Sequence, residues 1–339
     1  MTEADVVVSA FATPSSAAQR AIAQDTTFMV GDVVVLGVDP IMKEGEILAS
    51  AGFKRAADQL RDPASKSILG PLFARRLSGY TPRSVTLVGF SAGNNFLYHV
   101  LNGPDLEWVD GVIALDGMVG QKLWDGSWHM PSLNPWIKFA KKAAYDERLF
   151  VCSFTNIASH SKQVGSTKAT AEFVMDVLSD QVFGTIKNPS YDLSNLVKGP
   201  PPPEVTITVN RPVQQSDGTV KNVPITKTWS EMPTPQIQAI GNAWNLDYGG
   251  NVEPDHVFQA VYVQRAIWRT MLAARLNSDL RCRIPDLAGL GATTCVPNKV
   301  LVPEGVFPTH SALASVGAAI AGLALGGAVG YWATNKLGR

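Results

Sequence analysis

The chain has 339 residues, of which 45% are hydrophobic and 17% charged, a length and balance that suit one large α/β domain with insertions and a tail. Its 29 basic and 29 acidic residues cancel, and no long basic run occurs. That balance removes the electrostatic support a nucleic-acid partner would need.

Strand-like and helix-like segments alternate from the start, the pattern of a mostly parallel sheet flanked by helices. Val6 to Ala10 reads as the first core strand and Ser15 to Gln24 as a short helix. Asp32 to Val38 is a second apolar strand, followed by a helical region through Glu44 to Leu60 and Pro71 to Leu77. Val85 to Phe90 then carries the chain into Gly89-Phe90-Ser91-Ala92-Gly93, and the helix-like Asn94 to Leu101 leads out of it. Val109 to Leu115 is a further buried-type strand ending in Asp116-Gly117. The aromatic stretch from Leu123 to Pro131, extended by Trp136, reads either as a cap or pocket wall or as a satellite hydrophobic cluster. Lys138 to Ala144 is predicted helical, Leu149 to Phe154 extended, and Thr167 to Leu178 an amphipathic helix.

At Gly199 the composition changes, because Pro200 to Pro203 make a stiff extended spacer. Glu204 to Val209 and Val223 to Trp229 alternate like strands around Ser216-Asp217-Gly218, so a β-hairpin arm is predicted between core elements. Such an arm would serve as a lid over a site or as a contact surface for another protein. A last core strand is expected near Ile237 to Ala243, then a turn-rich loop from Asp247 to His256, then an apolar helix from Val257 to about Leu276. The chain therefore divides into a first part of the core (1–198), the spacer and hairpin (199–235), the last strand and helix of the core (236–280), a linker loop (281–308) and an apolar tail (309–339).

The tail segment Ser311 to Trp332 contains no charged residue, and at about 1.5 Å per residue a helix of that length crosses a bilayer core. Tyr331 and Trp332 suit the interface, with Lys336 and Arg339 beyond them. Gly322, Gly326 and Gly330 recur at every fourth residue and offer a smooth face for self-association. Membrane association through residues 311–332 is the expectation. Met1 to Asp5 lack a basic stretch ahead of an apolar one, so no secretory signal is expected. Cys152, in an apolar strand, is expected as a buried thiol. Cys282 and Cys295 flank a loop that a disulfide would close in an oxidising compartment. No cysteine spacing suggests a zinc site, and no metal or other cofactor is implied.

The chemistry concentrates at Ser91. A serine at a sharp strand-to-helix turn sits in a strained conformation that glycines at Gly89 and Gly93 accommodate, and its hydroxyl is presented above the sheet edge. The following helix aims its free N–H groups and the positive end of its dipole at the same place, with Ala92 N–H as one oxyanion donor.

This succession of strand, Gly-x-Ser-x-Gly elbow, helix and second strand resembles the α/β-hydrolase superfamily over roughly residues 5 to 275. The resemblance implies a base in a loop between the last strand and the last helix, a position His256 occupies. His160 is the runner-up. His99 is expected as a helix residue, and His129 and His310 as surface residues. The superfamily usually places its acid after the strand that here is Leu149 to Phe154, but Thr155 to Ser159 contain no carboxylate. Asp116, at the end of the preceding strand, is a known alternative position and keeps the order Ser, Asp, His. Asp247 and Asp255 compete with it, and Asn156 would orient a base without charge. A second oxyanion donor is expected from the loop after the first strand, at Phe11 N–H or Ala12 N–H.

A serine hydrolase cleaving a carboxylic ester is therefore expected, with Ser91 as nucleophile, His256 as base, Asp116 as acid, and a small-molecule or lipid-like acyl ester as substrate. The competing expectation is a structural or assembly protein, of a viral or envelope kind, that keeps a hydrolase fold and attaches through its arm and tail.

Overall fold

The computed structural model describes residues 2–11, 32–44, 49–60, 80–103, 106–145, 148–157, 163–181, 206–263, 267 and 300–301. Outside them lie the helices predicted at Ser15 to Gln24 and Pro71 to Leu77, Ala12, His160, the prolines 200–203, Cys282, Cys295, His310 and the tail 311–332 with its three glycines.

In chain order the strands are β1 (Thr2–Phe11), β2 (Asp32–Val38), β3 (Tyr80–Phe90), β4 (Gly111–Leu115), β5 (Leu149–Phe154), β6 (Thr206–Gln214), β7 (Val220–Thr228), β8 (Gln236–Ile240), β9 (Ala243–Asp247) and β10 (Val300–Leu301). The helices are α1 (Ala49–Leu60), α2 (Asn94–Leu101), α3 (Asn134–Tyr145), α4 (Thr167–Gln181) and α5 (Glu253–Phe258). One sheet runs in the order β10-β2-β1-β3-β4-β5-β9-β8. Its pairs are parallel except β8 with β9. The architecture is thus α/β, a mostly parallel sheet flanked by helices.

Parallel strands covered on both faces read as unbroken apolar runs, and β4 and β5 are buried along their whole length. Alternate residues point to opposite faces. Val6, Val8, Leu87, Val112, Ala114 and Phe150 join Phe53 of α1, Phe96 and Leu97 of α2, Phe139 of α3 and Val174 of α4 in one core. On the other face Val7, Val88, Ile113 and Val151 are buried as well.

Two strands begin earlier than their apolar runs suggest. β1 starts at Thr2 and β3 at Tyr80, with a shift in register between Ala4 and Asp5. The shift accommodates a buried charge. Asp5 accepts bonds from Arg83 Nε at 3.1 Å and Ser84 Oγ at 2.7 Å, which draws polar residues into the start of both strands.

The segment expected as one strand near Ile237 to Ala243 is instead a two-residue hairpin. β8 and β9 pair antiparallel, with Ile240 opposite Ala243, and Gly241 takes φ +55° at the turn. A side chain there would meet the Ala144 carbonyl oxygen at 2.3 Å. A Gly-Asn pair is the residue pattern such a turn asks for. β9, not the expected strand, lies beside β5.

The hairpin arm is longer than its sequence pattern suggests. β6 and β7 pair from Thr206 opposite Thr228 to Gln214 opposite Val220, as a separate two-stranded sheet between α4 and β8. Pro212 and Pro224 are tolerated because a ribbon of two strands leaves each an open edge. In the aromatic stretch Trp128 stacks on Phe173 of α4, with centroids 5.3 Å apart, and Trp136 is buried in α3, whereas Trp124 is 93% exposed. The stretch is thus core-packed at one end and open to solvent at the other.

Phe139 is buried in α3 on the main core. Phe139→Ala is expected to cost about 3–5 kcal/mol, read as a lower urea midpoint with an unchanged slope.

Candidate active site

Among the described residues only two non-glycine residues have positive φ: Ser91 at +52° and Asp116 at +37°. Such backbone costs on the order of 1–3 kcal/mol per residue and persists where the surroundings over-determine it. Both residues stand at the carboxyl ends of strands that are direct neighbours, β3 and β4.

Ser91 opens a single 3-10 turn, Ser91–Gly93, that leads into α2. The elbow fits because nothing is attached to the glycines around it. A Cβ on Gly89 would meet Asn94 and Leu97 at 3.0 Å, and one on Gly117 would lie 2.2 Å from the Ser91 carbonyl oxygen. Asn94, buried between them, donates its Nδ2 to the carbonyls of Gly89 (3.2 Å), Ser91 (3.1 Å) and Leu115 (3.2 Å). One amide therefore ties the elbow to the end of β4. Sequence reasoning passed over Asn94 and Gly117, and their places directly after Gly93 and Asp116 were the available signals.

Asp116 Oδ2 lies 2.8 Å from His256 Nδ1. The same oxygen accepts the Thr155 hydroxyl at 2.6 Å, and Oδ1 accepts Thr155 N–H at 3.1 Å. Burial pushes the Asp116 carboxyl up, but the imidazole beside it and the two Thr155 donors outweigh that and hold it below its ordinary range. Thr155 occupies the place after β5 where the resemblance implied a carboxylate. It serves as a donor to the acid on the neighbouring strand.

His256 belongs to α5, not to a loop ahead of a helix that starts at Val257. The helix begins at Glu253 because Pro254 suits its first turn and Glu253 and Asp255 suit its positive end. The imidazole is 20% exposed and lies on the Phe90 ring, with centroids 4.6 Å apart. His256 is thus packed on the residue that precedes Ser91. With Nδ1 given to Asp116, Nε2 is the nitrogen left for proton exchange. No hydrogen bond joins Ser91 Oγ to the ring among the described residues, and such contacts commonly tighten only around substrate.

The competing acids are engaged elsewhere. Asp247 pairs with Lys168 at 2.5 Å and accepts Gly249 N–H at 2.8 Å. Asp255 pairs with Lys227 and accepts Val252 N–H at 3.1 Å. Asn156 bonds Gly250 and Gly249 in the loop before α5 rather than the imidazole. His99 stands edge-on to Tyr98 on α2, and His129 is half-buried rather than at the surface. Ala92 follows Ser91 at the mouth of the elbow. Phe11 closes β1 in register with Phe90, which sets its backbone beside the same turn. Cys152 is a buried thiol raised by desolvation and by the charge of Asp116. No cluster of His, Cys, Asp and Glu among the described residues is arranged to hold a metal ion. Comparison with protein families, with curated proteins and with solved structures gives no match.

Gly117→Ala is expected to fold less stably and to displace the elbow, measured as a lower melting temperature together with slower labelling of Ser91 by a fluorophosphonate. The lowered Asp116 carboxyl stabilises the fold above the ordinary carboxylate range, and that contribution is lost as pH falls through its lowered value. The stability gap between the protein and Asp116→Asn should therefore narrow on acidification, in urea titrations from pH 7 downward.

Proposed function

We propose that the protein is a serine hydrolase of the α/β-hydrolase type that cleaves carboxylic esters through an acyl-enzyme on Ser91. The observation that carries this reading is the bond from His256 Nδ1 to Asp116, formed at the end of the strand beside the Ser91 elbow. Ser91 Oγ attacks the ester carbonyl carbon while His256 Nε2 accepts its proton. The oxyanion is held by Ala92 N–H, with a second donor from the backbone at Phe11. Collapse of the tetrahedral intermediate expels the alcohol, which takes the proton from His256. Water then repeats the sequence on the acyl-enzyme and releases the acid and Ser91. Asp116 fixes the imidazole tautomer and stabilises the imidazolium.

The substrate class proposed is a small or lipid-like acyl ester. Leu123, Trp124 and Met130 support it, because they expose apolar surface on the excursion that begins after Asp116. Membrane association through residues 311–332 and self-association through Gly322, Gly326 and Gly330 belong to the same proposal and stand on the sequence. No helix among the described residues is long and apolar enough to cross a membrane. A second reading, attachment in an assembly, is favoured by Val213, Val220 and Val223, which lie exposed toward the turn of the arm.

Turnover of p-nitrophenyl esters of graded chain length tests the proposal. Ser91→Ala and His256→Ala should each lose about 10⁶-fold in kcat, and Asp116→Asn about 10⁴-fold. Absence of both turnover and fluorophosphonate labelling in the unaltered protein would overturn it in favour of the assembly reading.

A further inference from the structure

The hairpin arm reaches the chemistry through one buried ion pair. Asp255, the residue before His256, is 0% exposed, and its Oδ1 is paired with Lys227 Nζ of β7. Its other oxygen accepts Val252 N–H and so closes the first turn of α5. The space is tight, since a Cβ on Gly250 would lie 2.4 Å from the Asp255 carboxylate. The base of the arm packs on α5, with Ile207 and Val209 of β6 buried. A second, more exposed tie joins Arg211 Nε to Glu253 Oε1 at 3.3 Å.

We propose that Lys227 is a positioning residue for His256, acting through Asp255, so that the arm sets the geometry of the base. This role rests on the hydrolase reading only for its effect on turnover; the geometry stands without it. A carboxylate buried without a cation must draw in water or take up a proton. Either change loosens the turn that carries the next residue. His256 is held from its far side by Asp116 and Phe90, so a shift of the helix start pulls Nδ1 away from the acid. Val252 N–H alone does not neutralise the charge, and Lys227 is the cation that meets it.

The test follows the low-field proton resonance of His256 Nδ1–H in the full chain, assigned by its loss in Asp116→Asn and in His256→Gln. Lys227→Met should displace or abolish that resonance. Fluorophosphonate labelling of Ser91 should slow at least about tenfold, and kcat for a p-nitrophenyl ester should fall with KM changed by less than about twofold, since small misplacements act on rate. Lys227→Arg should restore all of these. A wild-type resonance and labelling rate in folded Lys227→Met would overturn the proposal. If Lys227→Met does not fold, Asp255→Asn carries the same test from the other side of the pair: it keeps an acceptor for Val252 N–H, its resonance should move, and an unmoved resonance would overturn the proposal. A protein that never labels at Ser91 yet loses the resonance in Lys227→Met would sink the hydrolase reading and leave the positioning role standing.

Discussion

A carboxylate taken out of water needs donors around it, and Asp116 finds them only because β4 and β5 end side by side. Leu115 is in register with Ser153, so the next residues meet beyond the last rung of the ladder. There the Asp116 N–H bonds the Ser153 carbonyl at 2.8 Å, and Thr155 returns two donors to the carboxylate. The positive φ at Asp116 turns the side chain toward that corner, and His256 completes the set. A neutral oxygen in the same place would leave the imidazole without its charge partner, whereas a solvated carboxylate would hold it less firmly. The rest of the site is arranged around this corner. Gly117 lets the elbow close on it, and Asn94 stitches the end of β3 to the end of β4.

The strands of the core were legible where burial on both faces makes an apolar run continuous, as at Asp32 to Val38, Gly111 to Leu115 and Leu149 to Phe154. They were less legible where charge enters the sheet, since Asp5 and Arg83 sit inside strands and read as their ends. The Gly241-Asn242 turn was visible in the letters but was overridden by the apolar residues on either side. The same limits apply to the site. Ser91 was marked by its glycines. Asp116, Asp247 and Asp255 all lay near plausible ends of elements, and only packing shows that Lys168 and Lys227 have taken two of them. Asn94 and Thr155 carry no motif, because hydrogen-bonding to carbonyls or to a carboxylate on the adjacent strand demands nothing of neighbouring residues. The start of α5 was misjudged by one turn because glycines and a proline read as loop, while that proline and the acidic residues around it are what begin a helix.

The arm is tied to the helix that carries His256. A two-stranded ribbon is marginal by itself, and this one is anchored by buried apolar residues and by charge at α5. Its far end is left exposed, with Val220 at 65%. The arm is therefore anchored where it touches α5 and exposed where it does not.

The chain order of the site has a consequence for biosynthesis. Ser91 and Asp116 emerge close together, but the imidazole follows Asp116 by 140 residues. At about 5–20 residues per second, a ribosome needs roughly 7–28 s to make that interval. Through that time the nascent chain contains Ser91 and Asp116 but not His256. The bond between Asp116 and His256 can therefore form only late in synthesis, when the imidazole packs against Phe90.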